Sequence, residues 1–368
     1  MRVPTGPTYV NGTFLNSCLW SRIIGLVVLS EEILLPGDVV CDALRQSASL
    51  EDAGTSLDAS IAAILAFGIL DESDAVPLAR SLVAVAEANL PVARLAEGHV
   101  NARHLLDLHA PGTAPERAVL GVWGADGAEP LRLEGDMLCG TKRYASGLGL
   151  VTHALVTVGQ GDTCRLALVD VTDCVRHRPG TWAMRGMRAT VSGDIDLTGA
   201  TPLWVGVPGA YHTEPSFVGG VWRIAALQLG GTLGLLGAAR DYLSGLDRLG
   251  SEAQVARLTV PLGRAFAAFG LVEKAAVVAQ SPEGQADPDR AVALSIQARL
   301  LTEDLAQDAI AAVERAVGLP HFADGSETGR IARDLATYCR QAARDAMEQR
   351  AGRILLERAG PFSGIWHG

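Results

Sequence analysis

Three histidines at a spacing of five, His99, His104 and His109, are the first residues of this chain that invite a chemical reading. A metal would need all three on one surface. Five residues turn a helix by about 500°, so successive members point roughly 140° apart and no shared ligand set is expected. Glu97 and Asn101, four apart, do share a helix face. Glu97 and His99 are the side chains of this stretch whose type suits acid–base work, and Ser146, further on, is a third polar residue of that kind.

Other chemistries find no support. There is no Gly-x-Ser-x-Gly elbow, no Gly-x-Gly-x-x-Gly after a strand and no Walker lysine loop, so triad, nicotinamide and nucleoside-triphosphate sites are not expected. Six cysteines are scattered without a Cys-x-x-Cys pair, which argues against a zinc site or a disulfide framework. The net charge of −10, with no basic cluster, opposes a nucleic-acid role.

Candidate residues need elements to hold them. With 368 residues, 48% of them hydrophobic, the chain has material for a large core in two or three folded units. From Ser56 to Leu108 it is rich in Ala and Leu and reads as helix, with Ile61, Ile64, Leu65 and Gly68 at helical spacing; Pro91 starts or kinks a helix. Between Pro111 and Pro215 turn residues recur and β-rich runs such as VTHALVTV (Val151 to Val158) and RLALVDV (Arg165 to Val171) lie between them. From Phe217 onward the pattern predicts four antiparallel helices with joints at Arg248 to Glu252, Ser281 to Asp287 and Leu319 to Ser326.

This is an α+β design: an N-terminal helical domain (1–112), a middle small β-barrel or sheet domain (113–215) and a C-terminal four-helix bundle (216–368). The run Ile23 to Ser30 is too short to span a membrane, and a cytoplasmic protein is expected. The segment Val221 to Leu243 is apolar around most of its circumference and carries Gly230, Gly231, Gly234 and Gly237, which predicts cover by a partner subunit.

Four stretches point further: EANLPVARLAEGHVNA (Glu87 to Ala102), GTKRYASG (Gly140 to Gly147), GMRATVSGDIDLTG (Gly186 to Gly199) and ARDLATY (Ala332 to Tyr338). In kind and order they resemble the acyl-CoA dehydrogenase superfamily. The resemblance implies FAD, or reduced flavin as co-substrate, in a cleft between the β domain and the bundle. It also implies a homodimer or homotetramer and a small-molecule substrate, with a CoA thioester among the candidates. On this likeness Tyr144, Ala145 and Ser146 meet the flavin ring. Trp123 in VWGAD resembles a Trp-Gly run of the two-component monooxygenase branch, in which a histidine at the place of His99 faces the substrate and the flavin C4a position. Tyr338 closes the cleft from the bundle side.

Two departures stand out. The glutamate that serves as base in the dehydrogenases falls on Ala342, and the alternative base on the first long bundle helix falls on Trp222 and Arg223. The Gln-x-x-Gly-Gly-x-Gly segment that would meet the flavin pyrophosphate appears as RAVGLPH (Arg315 to His321), keeping Gly318, with Arg315 as the residue that would offset the loss by charge. The expected activity is flavin-dependent oxidation of a non-standard acyl or other small molecule, with reduced-flavin monooxygenation and a non-catalytic binding or assembly module as alternatives.

Overall fold

The computed structural model describes Leu44 and residues 74–367. The helical spacing read over Ile61 to Gly68 and the apolar run Ile23 to Ser30 lie outside the described residues. Among residues 74–367, two helices, α1 (Ala75–Ala88) and α2 (Leu90–His109), come first. Asn89 between them caps α2 by accepting the Val92 N–H, and Pro91 occupies the first turn, where its missing donor is harmless.

Nine strands follow: β1 (Leu120–Trp123), β2 (Arg132–Glu134), β3 (Met137–Cys139), β4 (Thr141–Ala145), β5 (His153–Val158), β6 (Arg165–Asp170), β7 (His177–Arg178), β8 (Gly193–Asp196) and β9 (Leu203–Val205). They form a four-stranded sheet in the order β1-β5-β6-β9, a three-stranded sheet β4-β8-β7 and a β2-β3 ribbon. β1 runs parallel to β5, and the other pairings are antiparallel. Strand β5 explains why its sequence lacks polar alternation. Ala154, Val156 and Val158 face a core shared with the β4 sheet, whereas Leu155 faces α2 through Leu105 and Leu106. Both faces are buried, so both are apolar.

The remainder is helical: α3 (Trp222–Gly245), α4 (Glu252–Gln280), the short α5 (Pro282–Ala286), α6 (Pro288–Val317), α7 (Glu327–Tyr338), α8 (Arg344–Glu357) and α9 (Ser363–His367). The joints fall where the turn residues predicted them. Residues of α1, α2, α3, α4, α6 and α7 form one continuous apolar cluster, so the first two helices share the core of the later ones.

One expectation is narrowed. Three of the four α3 glycines face neighbours in their own chain, and Gly237 meets open space: a Cβ at Gly230 would collide with the Val83 carbonyl, one at Gly234 with the Glu87 carbonyl, and one at Gly231 would press on Leu90 and Leu335. Close approach of α1 is the packing reason for Gly230 and Gly234, and most of the apolar circumference of α3 is covered from within. Both α3 and α4 are long and apolar enough to cross a membrane, but the most apolar window of α3 is 67% buried and that of α4 only 22%. It is α4 that leaves Val255, Val260, Leu262 and Phe266 exposed.

Candidate functional site

The loop after β4 is held from beneath. Lys142, with no exposed surface, donates to Asp126 at 2.6 Å, to the Thr157 hydroxyl at 2.8 Å and to the Gly124 carbonyl at 3.2 Å. Burial lowers the pKa of its ammonium, and Asp126 opposes that shift. Trp123 is buried beside it and its indole N–H donates to the Ser146 carbonyl at 3.2 Å. Trp123 therefore positions the loop from the core. The lysine of the Gly-x-Lys motif is a girder of the same kind.

On this footing Tyr144 takes a left-handed φ of 59° and stays 44% exposed, while Ala145 is fully buried. The Tyr144 ring meets Trp182 edge-on at 6.1 Å. Ser146 is half-buried, with its hydroxyl 3.3 Å from that of Ser192, which in turn lies 2.7 Å from the Thr190 hydroxyl. Gly147 N–H donates to the Thr190 carbonyl. Two of the sequence motifs thus form one wall, an exposed tyrosine with a half-buried tryptophan at its edge, beside a row of hydroxyls.

That wall is fastened to the bundle. Met187 N–H donates to the Asp334 carboxylate at 2.5 Å, and Gly186 lies so close to α7 that a Cβ would collide with the Arg333 carbonyl. Burial pushes the Asp334 carboxyl above its ordinary range against the pull of Met187, Arg330 and Arg333. Three of the four motifs therefore converge on one joint.

The fourth motif, on α2, splits its two candidates. His99 accepts the Leu120 N–H on Nδ1 at 3.1 Å and so faces the sheet. Glu97, two residues away and about 200° around the helix, pairs with Arg94 at 2.6 Å. Its charge acts on Tyr338, Tyr211 and Arg223, which places it toward the bundle. His99 and Glu97 do not work as one acid–base pair.

At the bundle end, Trp222 is fully buried and Tyr338 is 5% exposed. Burial, with the Glu97 charge, raises the Tyr338 hydroxyl well above its ordinary value. Among the described residues, Tyr338 Oη, Trp222 Nε1 and Arg223 Nε have no hydrogen-bond partner. Ala342 has its carbonyl held by Arg299 at 3.0 Å, and Asp345 and Glu348 are exposed on α8. None of the three offers a carboxylate to this end of the joint. Arg315 is exposed in the last turn of α6, next to Gly318 at φ 76°; neither is bonded to the Ser146 wall.

Sequence reasoning missed Ser192, Thr190, Arg94 and Tyr211, and it noted Arg223 only as a residue that is not a base. Ser192 and Thr190 lay inside a quoted motif, so pairing of the two motifs was the available signal. Cavities of about 570 Å³ around Leu271, Leu355 and Trp366 and of about 460 Å³ around His109 and His212 lie away from the joint.

No family model and no curated protein matches the chain. Solved structures do share its fold. The dibenzothiophene monooxygenase TdsC from Paenibacillus sp. A11-2, in its FMN-bound form, superposes with a TM-score of 0.74 at 18% identity over 90% of this chain and 98% of that one. The 3-HSA hydroxylase of Rhodococcus sp. RHA1 gives 0.70 at 16% identity over 90% and 99%. The nitroalkane oxidase of Podospora anserina gives 0.70 at 15% identity over 92% and 100%. The chain has the fold of the acyl-CoA dehydrogenase-like flavin enzymes.

Proposed function

We propose that this chain is a flavin-dependent oxidoreductase whose flavin lies at the joint between the Ser146 wall and the bundle. The observation that carries the reading is that joint: exposed Tyr144, with half-buried Trp182 at its edge, two residues from Ser146, and Met187 fastened to Asp334. The residues present fit an isoalloxazine ring, which needs an aromatic wall and hydrogen-bond partners at its polar edge. Exposed Arg143 on β4 and exposed Arg185 and Arg188 beside Met187 supply cations for a phosphate.

When bound, the flavin supplies hydride acceptance or, if it arrives reduced, oxygen activation. The chain's own residues orient it, and His99, neutral on Nδ1 where it accepts the Leu120 N–H, is fixed in one ring position. Of the two chemistries, the absence of a carboxylate at Ala342 and at Trp222–Arg223, with Glu97 committed to Arg94, favours the monooxygenase form over proton abstraction beside a thioester. The altered segment Arg315 to His321 agrees with flavin taken up as a co-substrate, FMN or FAD, rather than held permanently.

The same reading divides the chain into units 1–112, 113–215 and 216–368 and makes it a soluble, cytoplasmic homodimer or homotetramer; the exposed apolar side of α4 supports such a contact. A non-catalytic binding module is the second reading, favoured by the complete burial of Trp222 at the inner end of the joint. Titrating the purified chain with FMN and FAD, oxidised and anaerobically reduced, separates the two. Saturable binding of any form supports the oxidoreductase, and binding of none overturns it.

A further inference from the structure

We propose that Arg223 is the charge partner of an anionic substrate, a small planar organic acid whose carboxylate is held beside Trp222 and Tyr338. The inference rests on the reading of this joint as a substrate site. Arg223 is 3% exposed, yet its guanidinium makes no ion pair among the described residues. Its one hydrogen bond is a long contact of 3.4 Å from Nη1 to the Gly220 carbonyl, in its own turn, and Nε has no partner.

A buried guanidinium in this state is costly unless an anion completes it. The neighbouring carboxylate does not do so: Glu97 is engaged at 2.6 Å with Arg94, so two cations share one negative charge. His104, the other titratable group beside Arg223, is brought down to about 4 by burial and by Arg223, and is neutral at pH 7. Burial also brings Arg223 itself to about 10, which leaves it charged at neutral pH.

Tyr338 Oη and Trp222 Nε1 are buried without hydrogen-bond partners; the Arg223 guanidinium lies over the Trp222 ring at 4.9 Å, and Tyr338, like Arg223, feels the Glu97 charge. The Arg223 fork and the indole N–H offer a carboxylate several donors, and the one nearby acceptor, Glu97, is already held by Arg94; the Trp222 ring beside the fork suits a flat ligand. A base would carry negative charge at this position. Here the protein carries the positive charge, and the substrate supplies the negative one.

The test uses the purified full chain and three probe acids, benzoate, phenylacetate and hexanoate, each against its neutral amide in calorimetric titration. At least one aromatic acid should bind about ten-fold or more tightly than its amide. Arg223→Gln should abolish that preference while leaving amide binding unchanged. Should that variant fail to fold, Arg223→Lys, which keeps the charge and loses the fork, should weaken the acid by about five-fold or more.

No preference for any acid in the unaltered chain overturns the proposal, as does a folded Arg223→Gln variant that keeps the preference. Flavin titration in parallel separates the two readings. A chain that prefers acids but takes no flavin supports the anion site and sinks the oxidoreductase, whereas flavin binding without acid preference does the reverse.

Discussion

The backbone N–H of Met187, in a loop of the strand-rich segment, donates to the carboxylate of Asp334 on α7 at 2.5 Å. One hydrogen bond thus joins two stretches 147 residues apart, and the Ser146 wall hangs from the same loop. The carboxylate is buried, so the bond is made in a low-dielectric setting where it is strong when made and expensive when broken.

Asp334→Ala should destabilise the chain by about 1–3 kcal/mol, because the Met187 N–H loses its acceptor. Asp334→Asn keeps an acceptor and should be milder. The pH dependence follows from the direction of the shift. The Asp334 carboxyl is raised above its ordinary 3.8, chiefly by burial, so its contribution is fully present below pH 3.8 and is lost as pH rises through the folded value. Asp334→Asn cannot ionise, and it should gain on the unaltered chain as pH rises from 3.8. Urea unfolding at a series of pH values checks both variants.

The glycines divide by what a Cβ would meet. Gly186→Ala and Gly234→Ala each drive a methyl into a carbonyl of a neighbouring helix and should cost about 1–3 kcal/mol. Gly237→Ala meets open space inside α3 and should stabilise by about 0.5–1 kcal/mol through helix propensity. Thermal unfolding ranks them. If Gly237→Ala instead dissociates an oligomer in sedimentation, the α3 face belongs to a partner after all.

That contrast shows where the sequence was readable. The Asn89–Pro91 helix start and the strands around Leu155 and Leu168 follow from local rules, because caps, prolines and β-branched runs act over a few residues. The glycines of α3 announced close packing but not whose backbone approaches, since periodicity carries no information about the neighbour. Trp123 looked like a residue facing a ligand and proves, like its neighbour Lys142, to be a buried support, and spacing alone cannot tell the two roles apart. His99 and Glu97 were legible as polar residues on one helix, whereas their opposite facing depends on how that helix sits between sheet and bundle. The Met187–Asp334 bond joins residues too distant for any local pattern.

His104 should give a pH signature of its own. Burial first, then Arg223, lowers its imidazole from 6.5 to about 4, so stability is fully present above pH 6.5 and is lost as pH falls toward 4. Replacing it in His104→Asn should flatten the acid limb of the stability curve. Arg223→Gln should move the His104 titration, followed by NMR, upward. An unmoved titration would mean that the two groups are not neighbours.

Hydrogen–deuterium exchange with and without reduced flavin tests the central claim most directly, because it reports where the ligand sits. The flavin should protect residues 140–147 and 186–193, the two halves of the Ser146 wall, and the start of the segment at Met187 should slow most through its bond to Asp334. Protection confined to the cavity around Leu355 and Trp366, or no change in either half of the wall at saturating flavin, would contradict the account.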